Sequence, residues 1–104
     1  LIRKRVLIIK HYMVNYSYKI QKVLSSLSSR YEVNVYHSDY TWDLFCLTPE
    51  GEFTIELDKV TYDVVGVSQS GAEIPLQATS MVNEIIDAVE NIIYNIELGE
   101  MMMN

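Results

Sequence analysis

Two short runs of apolar, mostly β-branched residues constrain the fold of this chain more than any other feature of its sequence. They occupy positions 6–9 and 64–67. Each run is too short for a helix but long enough for a strand that is covered on both faces, as in parallel sheets. Between them, apolar residues recur at three- and four-residue spacing from Ile20 to Tyr31, which predicts an amphipathic helix capped by Asn15 or Ser17.

The remaining segments complete a small doubly wound α/β domain with a mostly parallel sheet. Residues 32–37 alternate between polar and apolar and predict a strand. Residues 44–47 and 53–57 predict a β-hairpin inserted at an edge of the sheet. A helix is predicted over 75–98, and residues 99–104 follow it as a frayed tail beginning at a glycine C-cap. The predicted order, β-α-β-(β-hairpin)-β-α, forms a two-layer or three-layer sandwich.

Length and composition indicate one domain, residues 1–104. The lone cysteine, Cys46, excludes an intrachain disulfide and any C-x-x-C metal site, and we expect a buried, inert thiol. No apolar run approaches the roughly 18 residues of a membrane span. The basic start of the chain leads into an apolar run that Lys10 interrupts, without a small-residue cleavage site. A cytoplasmic location is therefore expected.

Charge is unevenly distributed along the chain. The net charge is −6, yet seven of the eight Lys and Arg residues precede Tyr31, and all 14 acidic residues follow it. The acidic total argues against nucleic acid as a partner. The split would suit two copies that dock basic face to acidic face, and the small predicted sheet needs an edge covered. We therefore expect a homodimer.

One segment, Ser68-Gln69-Ser70-Gly71, is predicted to connect a buried strand to a helix. Backbone N–H groups at the start of a helix attract anions. The two hydroxyls and the amide add hydrogen-bond donors, and glycine permits close approach of a ligand. These four residues are therefore the predicted ligand site, with a phosphate group as the expected guest. An ordinary strand-to-helix turn, which also favours Ser and Gly, is the alternative.

The same segment, with Val67 before it, resembles the phosphosugar-binding loop of sugar isomerase (SIS) domains. In those domains a buried strand runs into S-Q-S-G-E-T and then a helix. The resemblance implies that Ser68, Gln69 and Ser70 hold a sugar phosphate. Ala72 and Glu73 depart from the Glu-Thr of the motif. Residues 62–68 are also similar to strands of flavodoxin-like and cobalamin-binding domains, although the cofactor-binding motifs of those families are absent.

Three further residues are predicted neighbours of this site. His11 and Tyr12 follow the first predicted strand, and His37 ends the second. The two histidines with Asp39 could bind a metal or share a proton, but such residues are more often hydrogen-bonded rim residues. We predict no metal site. No triad, Walker, G-x-G-x-x-G or H-E-x-x-H pattern occurs, so no catalytic residue and no cofactor is predicted.

Two hypotheses about function remain at this point. The first is a small non-catalytic domain that binds a phosphorylated small molecule or nucleotide at residues 68–73. The second is a homodimeric protein-interaction or regulatory module without a small-molecule ligand, such as an accessory protein of a virus or mobile element. Seven aromatic residues between Tyr12 and Trp42 suit the second hypothesis, because Tyr and Trp are enriched at interfaces.

Overall fold

A computed structural model describes residues 17–74 and 80–103 of the chain. In this part of the chain, two helices pack on one face of a five-stranded sheet. The elements in chain order are α1 (Tyr18–Leu27), β1 (Glu32–His37), β2 (Thr41–Thr48), β3 (Gly51–Asp58), β4 (Val64–Gln69), β5 (Ala72–Ile74) and α2 (Ser80–Met103).

The sheet is antiparallel throughout, so the predicted doubly wound, mostly parallel sheet is wrong. The strands lie side by side in chain order, β1-β2-β3-β4-β5, and every neighbouring pair runs antiparallel. A flavodoxin-like description is wrong for the same reason. The first predicted strand, residues 6–9, lies outside the described residues.

A register shift in β4 explains why residues 64–67 suggest a parallel strand. Val64 pairs with Leu57, whereas Gly66 pairs with the adjacent Glu56, so Val65 is an extra residue on this strand. Val64 packs against the core and Val67 is buried within it, but Val65 is exposed. The continuous apolar run thus arises from a bulge and not from burial on both faces.

The first helix forms where the sequence predicts it. The Oγ atom of Ser17 accepts a hydrogen bond from the backbone N–H of Ile20 at 3.2 Å, which caps α1. Ile20, Val23 and Leu27 form one apolar face and are buried against the sheet. The predicted capping role of Ser17 and the buried stripe are confirmed.

The second helix packs on the sheet as predicted, with different bounds. Residues 75–79 lie outside the described residues, and α2 continues through Gly99, the expected C-cap, as far as Met103. Neither helix in the described part of the chain is long and apolar enough to cross a membrane. The core face of α2 is apolar and buried: it consists of Val82, Ile85, Ile86, Val89 and Ile93.

The predicted hairpin is present as β2 and β3, but it lies in the middle of the sheet and not at its edge. On the face toward the helices, the hairpin has three pairs of buried side chains, and the two members of each pair lie opposite each other on β2 and β3. The pairs are Trp42 with Leu57, Leu44 with Ile55 and Cys46 with Phe53. Full burial of one such side chain contributes roughly 1.5–3 kcal/mol. The β2–β3 hairpin therefore supplies a large share of the buried core side chains.

Ion pairs between the helices show the direction of α2 relative to α1. Nζ of Lys19, in the first turn of α1, lies 3.3 Å from a carboxylate oxygen of Glu97 and 3.7 Å from one of Glu100. Arg30, just beyond the end of α1, pairs with Glu84 near the start of α2 at 2.9 Å. The helices are therefore antiparallel, and the C-terminal half of α2 lies beside the beginning of α1.

Candidate interaction surface

The predicted ligand segment forms a β-hairpin turn. Ser68 and Gln69 are the last residues of β4, and Ser70 and Gly71 form the two-residue turn that leads into β5. Both turn residues have positive φ, 52° for Ser70 and 85° for Gly71, as a type I′ turn requires. Ser-Gly is thus present here for its backbone conformation.

Strand β5 removes the physical basis of the predicted anion site. The prediction placed a helix start within a few residues of Gly71, but Ala72 is already paired with Gln69 in the sheet. The side chain of Gln69 is also engaged, because its Nε2 atom donates to the carbonyl oxygen of Glu50 at 3.3 Å. This bond links the β4–β5 turn to the neighbouring β2–β3 turn. Phosphate binding at residues 68–71 stays a prediction without this support.

The structure separates His37 from the predicted ligand segment. His37 ends β1 at one end of the sheet, whereas Ser70 and Gly71 lie at the other end, beside the β2–β3 turn. Strands of six to eight residues span about 20–27 Å. His11 and Tyr12 lie outside the described residues. Among residues 17–74 and 80–103, no three His, Cys, Asp or Glu side chains are grouped so as to hold a metal ion.

His37 instead belongs to a cluster with Lys59 and Trp42. Nζ of Lys59 donates to Nδ1 of His37 at 2.9 Å and to the carbonyl oxygen of Ser38 at 2.8 Å. The same nitrogen lies 4.1 Å from the centroid of the Trp42 ring, a close cation–π contact. Burial lowers the pKa of Lys59, against the opposing attraction of Asp39 and Asp43. The cluster joins the β1–β2 loop to the β3–β4 loop.

Hydrogen bonds from backbone N–H groups hold this pair of loops together. Oγ of Ser38 accepts from the N–H groups of Tyr40 and Thr41, both at 3.1 Å. Asp58 accepts from the two N–H groups that follow Lys59, at 2.9 and 2.8 Å, and these bonds lower the pKa of its carboxyl. The N–H of Lys59 also donates to the carbonyl of Tyr40 at 2.9 Å. These bonds fix the backbone of both loops.

Apolar side chains are exposed at the tips of both loops. Tyr40 is 80% exposed and Val60 is 82% exposed. The end of α2 lies at the same end of the sheet, because Lys19 contacts both Glu97 and the ring of Tyr62 in the β3–β4 loop. In the described part of the chain, all exposed large apolar side chains except Leu47 lie at this end. We call it the apolar end; its members are Tyr18, Tyr40, Val60, Val65, Tyr94, Leu98, Met101 and Met102.

Sequence reasoning named His37 but missed its partners. Lys59 is the only Lys or Arg after Tyr31, among 14 acidic residues. This isolated position indicates that its charge interacts with nearby residues. The spacing Asp58-x-x-Thr61 is a further signal, since Asp commonly caps the N–H groups two and three residues ahead of it. The grouping at the apolar end depends on antiparallel pairing, which the parallel prediction excluded.

We expect Lys59→Met to lower the free energy of unfolding by about 1–2 kcal/mol, because two hydrogen bonds and a cation–π contact are lost. Trp42, the only tryptophan in the chain, reports the change directly through its fluorescence. Lys22→Met is the matched control, because Lys22 lies over the ring of Tyr18 at 5.6 Å on an exposed surface. Equal stability of the two variants would contradict a joining role for Lys59.

A partly buried acidic group, Glu56, lies on the opposite face of the sheet from the helices. Glu56 is directly across from Gly66, and a Cβ atom at Gly66 would lie 2.6 Å from Oε1 of Glu56. The mid-strand glycine therefore makes room for this carboxylate. Partial burial raises the pKa of Glu56, and the negative charges of Asp43 and Glu73 raise it further. The ionised form is thus disfavoured in the folded state.

We expect Glu56→Gln to raise the melting temperature at pH 7. The raised pKa means that folded Glu56 binds its proton more tightly than unfolded Glu56, so its ionisation destabilises the fold above the folded pKa. The gain should shrink as the pH falls below about 4.3, the ordinary pKa of Glu, where both states are protonated. Calorimetry between pH 3 and 8 measures this, with Glu52→Gln on the same face as the control. A loss of stability at pH 7 would contradict it.

No protein-family model, curated protein or solved structure matches this chain.

Proposed function

We propose that this protein is a non-catalytic interaction module that acts in the cytoplasm as a homodimer, with the apolar end as its contact surface. The observation that carries the proposal is the concentration of exposed apolar side chains at that end. Large exposed apolar patches are uncommon on monomers and are associated with interaction sites. Scattered single residues would support no such proposal.

The composition of the apolar end supports the same proposal. Three of its eight members are Tyr and two are Met, and aromatic residues and Met are enriched at protein interfaces. Tyr40 and Val60 are presented by loops whose backbone is hydrogen-bonded, so little backbone conformational entropy is lost when they are covered. An apolar surface of this kind favours a protein partner over a small polar ligand.

Sedimentation velocity between 1 and 200 μM, concentrations typical of weak and moderate complexes, tests the proposal. The monomer mass is 12.0 kDa, so we expect a concentration-dependent shift toward twice that mass. The shift should persist at 0.5 M salt, because apolar contacts are not screened. A monomer at every concentration would overturn the proposal. Loss of the dimer at high salt would favour docking of basic on acidic faces.

Binding of a phosphorylated molecule at Ser68, Gln69, Ser70 and Gly71 is the competing proposal. It now depends on the residue types and the resemblance alone, since the segment is a hairpin turn. Titration with inorganic phosphate, a sugar phosphate and a mononucleotide, followed by amide chemical shifts, distinguishes the two. Saturable shifts at residues 68–72 would establish a ligand site there, and we expect none at millimolar ligand.

A further inference from the structure

The hydrogen bond between Lys59 and His37 connects parts of the chain that are not neighbours in the sheet. His37 ends β1 and Lys59 directly follows β3, while β2 lies between these strands. The bond passes beside Trp42, which is the register partner of His37 on β2. The rings of His37 and Trp42 lie 5.3 Å apart between centroids, and Nζ of Lys59 lies 4.1 Å from the Trp42 centroid. Both side chains therefore help to cover Trp42, which is 7% exposed.

The bond requires a neutral imidazole ring. An ammonium group has three donors and no acceptor, so Nδ1 of His37 has to accept the hydrogen bond. Nδ1 accepts only when it carries no proton, and the proton of the neutral ring is then on Nε2. When the ring gains a second proton, both partners are donors of like charge whose nitrogen atoms lie 2.9 Å apart, so they repel each other. The bond is therefore present at high pH and is lost as the pH falls.

Lys59 has other partners that keep it in place when this bond is lost. Its ammonium group donates to the carbonyl oxygen of Ser38 at 2.8 Å and contacts the ring of Trp42. Asp39 and Asp43 attract its positive charge. His37, in contrast, is exposed at the end of its strand. The imidazole ring is thus the partner that moves.

We infer that His37 and Lys59 form a pH-sensitive switch, in which acidification releases the imidazole ring from Lys59 and uncovers Trp42 at the apolar end. Histidine is the side chain that ordinarily changes charge between pH 5 and 8, and its protonation switches surfaces in other proteins. Tyr40 and Val60 are exposed on the two loops beside the cluster. Release of the ring therefore adds aromatic surface to a region that is already apolar.

Charged side chains from each neighbouring element surround the cluster. They are Asp39 on the β1–β2 loop, Asp43 on β2, Asp58 at the end of β3 and Asp63 on the β3–β4 loop, with Lys19, Glu97 and Glu100 where the two helices reach this end. Carboxyl groups ordinarily titrate near about 4, below this pH range. Hydrogen bonds from the backbone N–H groups of Thr61 and Val60 lower the pKa of Asp58 further. Their negative charges offset a second positive charge in the cluster.

Glu56 is a further titratable group near these carboxylates. Partial burial raises its pKa, and Asp43 and Glu73 raise it further. Glu56 pairs with Asp43, whereas Trp42 pairs with Leu57, so Glu56 and Trp42 lie on opposite faces of the sheet. Proton uptake by Glu56 should therefore leave the surroundings of the Trp42 ring unchanged.

Trp42 fluorescence between pH 8 and pH 5 tests the switch, because Trp42 is the only tryptophan in the chain. A protein concentration of about 1 μM, at the low end of the micromolar range, keeps association of copies small. We expect the emission maximum to move to longer wavelength in a one-proton step as the pH falls, and quenching by acrylamide to increase with it. Circular dichroism should stay constant over the same range, which distinguishes release of His37 from unfolding.

Four variants assign the step to the His37–Lys59 pair. His37→Asn places an uncharged oxygen acceptor near the position of Nδ1, so the step should disappear. His11→Gln, which removes the other histidine of the chain, and Glu56→Gln should both keep the step. Lys59→Met should move its midpoint to higher pH, because a like charge no longer opposes protonation of the ring.

Three results would overturn the inference. The first is a wild-type protein without a step, or a step of the same size in His37→Asn. The second is an unchanged midpoint in Lys59→Met, since His37 would then titrate without meeting Lys59. The third is a loss of helix signal that coincides with the step, which would assign the step to unfolding. All of these readouts belong to the single chain, so the proposed dimer stands or falls separately by sedimentation.

Discussion

Ile86→Asp is expected to unfold the domain. Ile86 is buried in the core face of α2, where an aspartate would have to be ionised without a partner or protonated at a high free-energy cost. The expected loss is on the order of 4 kcal/mol or more, against a total stability of about 5–15 kcal/mol for a domain of this kind. Circular dichroism and Trp42 fluorescence during urea unfolding measure it.

Asn91→Asp is the matched control for this substitution. Asn91 lies on the outward face of the same helix and is exposed, so the new carboxylate stays in water. Its effect should remain within about 0.5 kcal/mol. If Ile86→Asp kept the unfolding midpoint of the wild type, α2 would not pack on the sheet in solution, and the fold described above would be wrong.

Leu98→Glu is expected to weaken dimerisation by about 30-fold or more, the effect of removing an interaction hot spot of 2 kcal/mol. The substitution replaces an apolar side chain of the apolar end with a charged one, so each copy brings a like charge to the contact. Sedimentation equilibrium gives the dissociation constant. Met101→Glu, at a more exposed position, should act in the same direction without disturbing the fold.

Asn91→Glu is the control for the dimer variants, because it adds the same charge at an exposed position of the same helix outside the apolar end. Circular dichroism should show native helix content in all three proteins. A wild-type dissociation constant for both Leu98→Glu and Met101→Glu would exclude the last turns of α2 from the contact. An equal loss in the Asn91→Glu control would point to a general effect of helix charge.

Local patterns in this sequence predict local structure well. Ser17 and the spacing of Ile20, Val23 and Leu27 predict α1, because capping and helical periodicity act within a few residues. The alternation Phe53, Ile55, Leu57 predicts β3 on the correct face for the same reason. These features are determined by neighbouring residues, so they do not depend on how distant elements are arranged.

The pairing of strands could not be predicted from the same patterns. The run at 64–67 looks like a strand buried on both faces because the bulge adds Val65 to an otherwise alternating strand. Ser70-Gly71 looks like a strand-to-helix turn because β5 is only three residues long, too short for alternation to reveal. These two local features together led to a prediction of parallel strands where the strands are antiparallel.

The residues that the candidate site brings together depend on whether the strands are parallel or antiparallel. In a parallel sheet, His37 and Ser68 would follow strands that end at the same edge, which is why they were predicted as neighbours. In the antiparallel sheet, β1 and β4 have opposite directions, so His37 lies at the end of the sheet where β4 begins, and Lys59 from the β3–β4 loop is its partner. The apolar end could be found only once the pairing of all five strands was known.

Concentration-dependent NMR tests the central claim, that the apolar end is the surface through which the protein binds a second copy. Amide spectra of the wild type recorded at about 10 μM and 500 μM, on either side of the expected micromolar dissociation constant, should differ at Tyr94, Leu98 and Met101. The amides of Ser68 and Gly71, at the other end of the sheet, should stay unchanged. Shifts confined to the Ser68–Gly71 end, or no shifts at any residue, would contradict the claim.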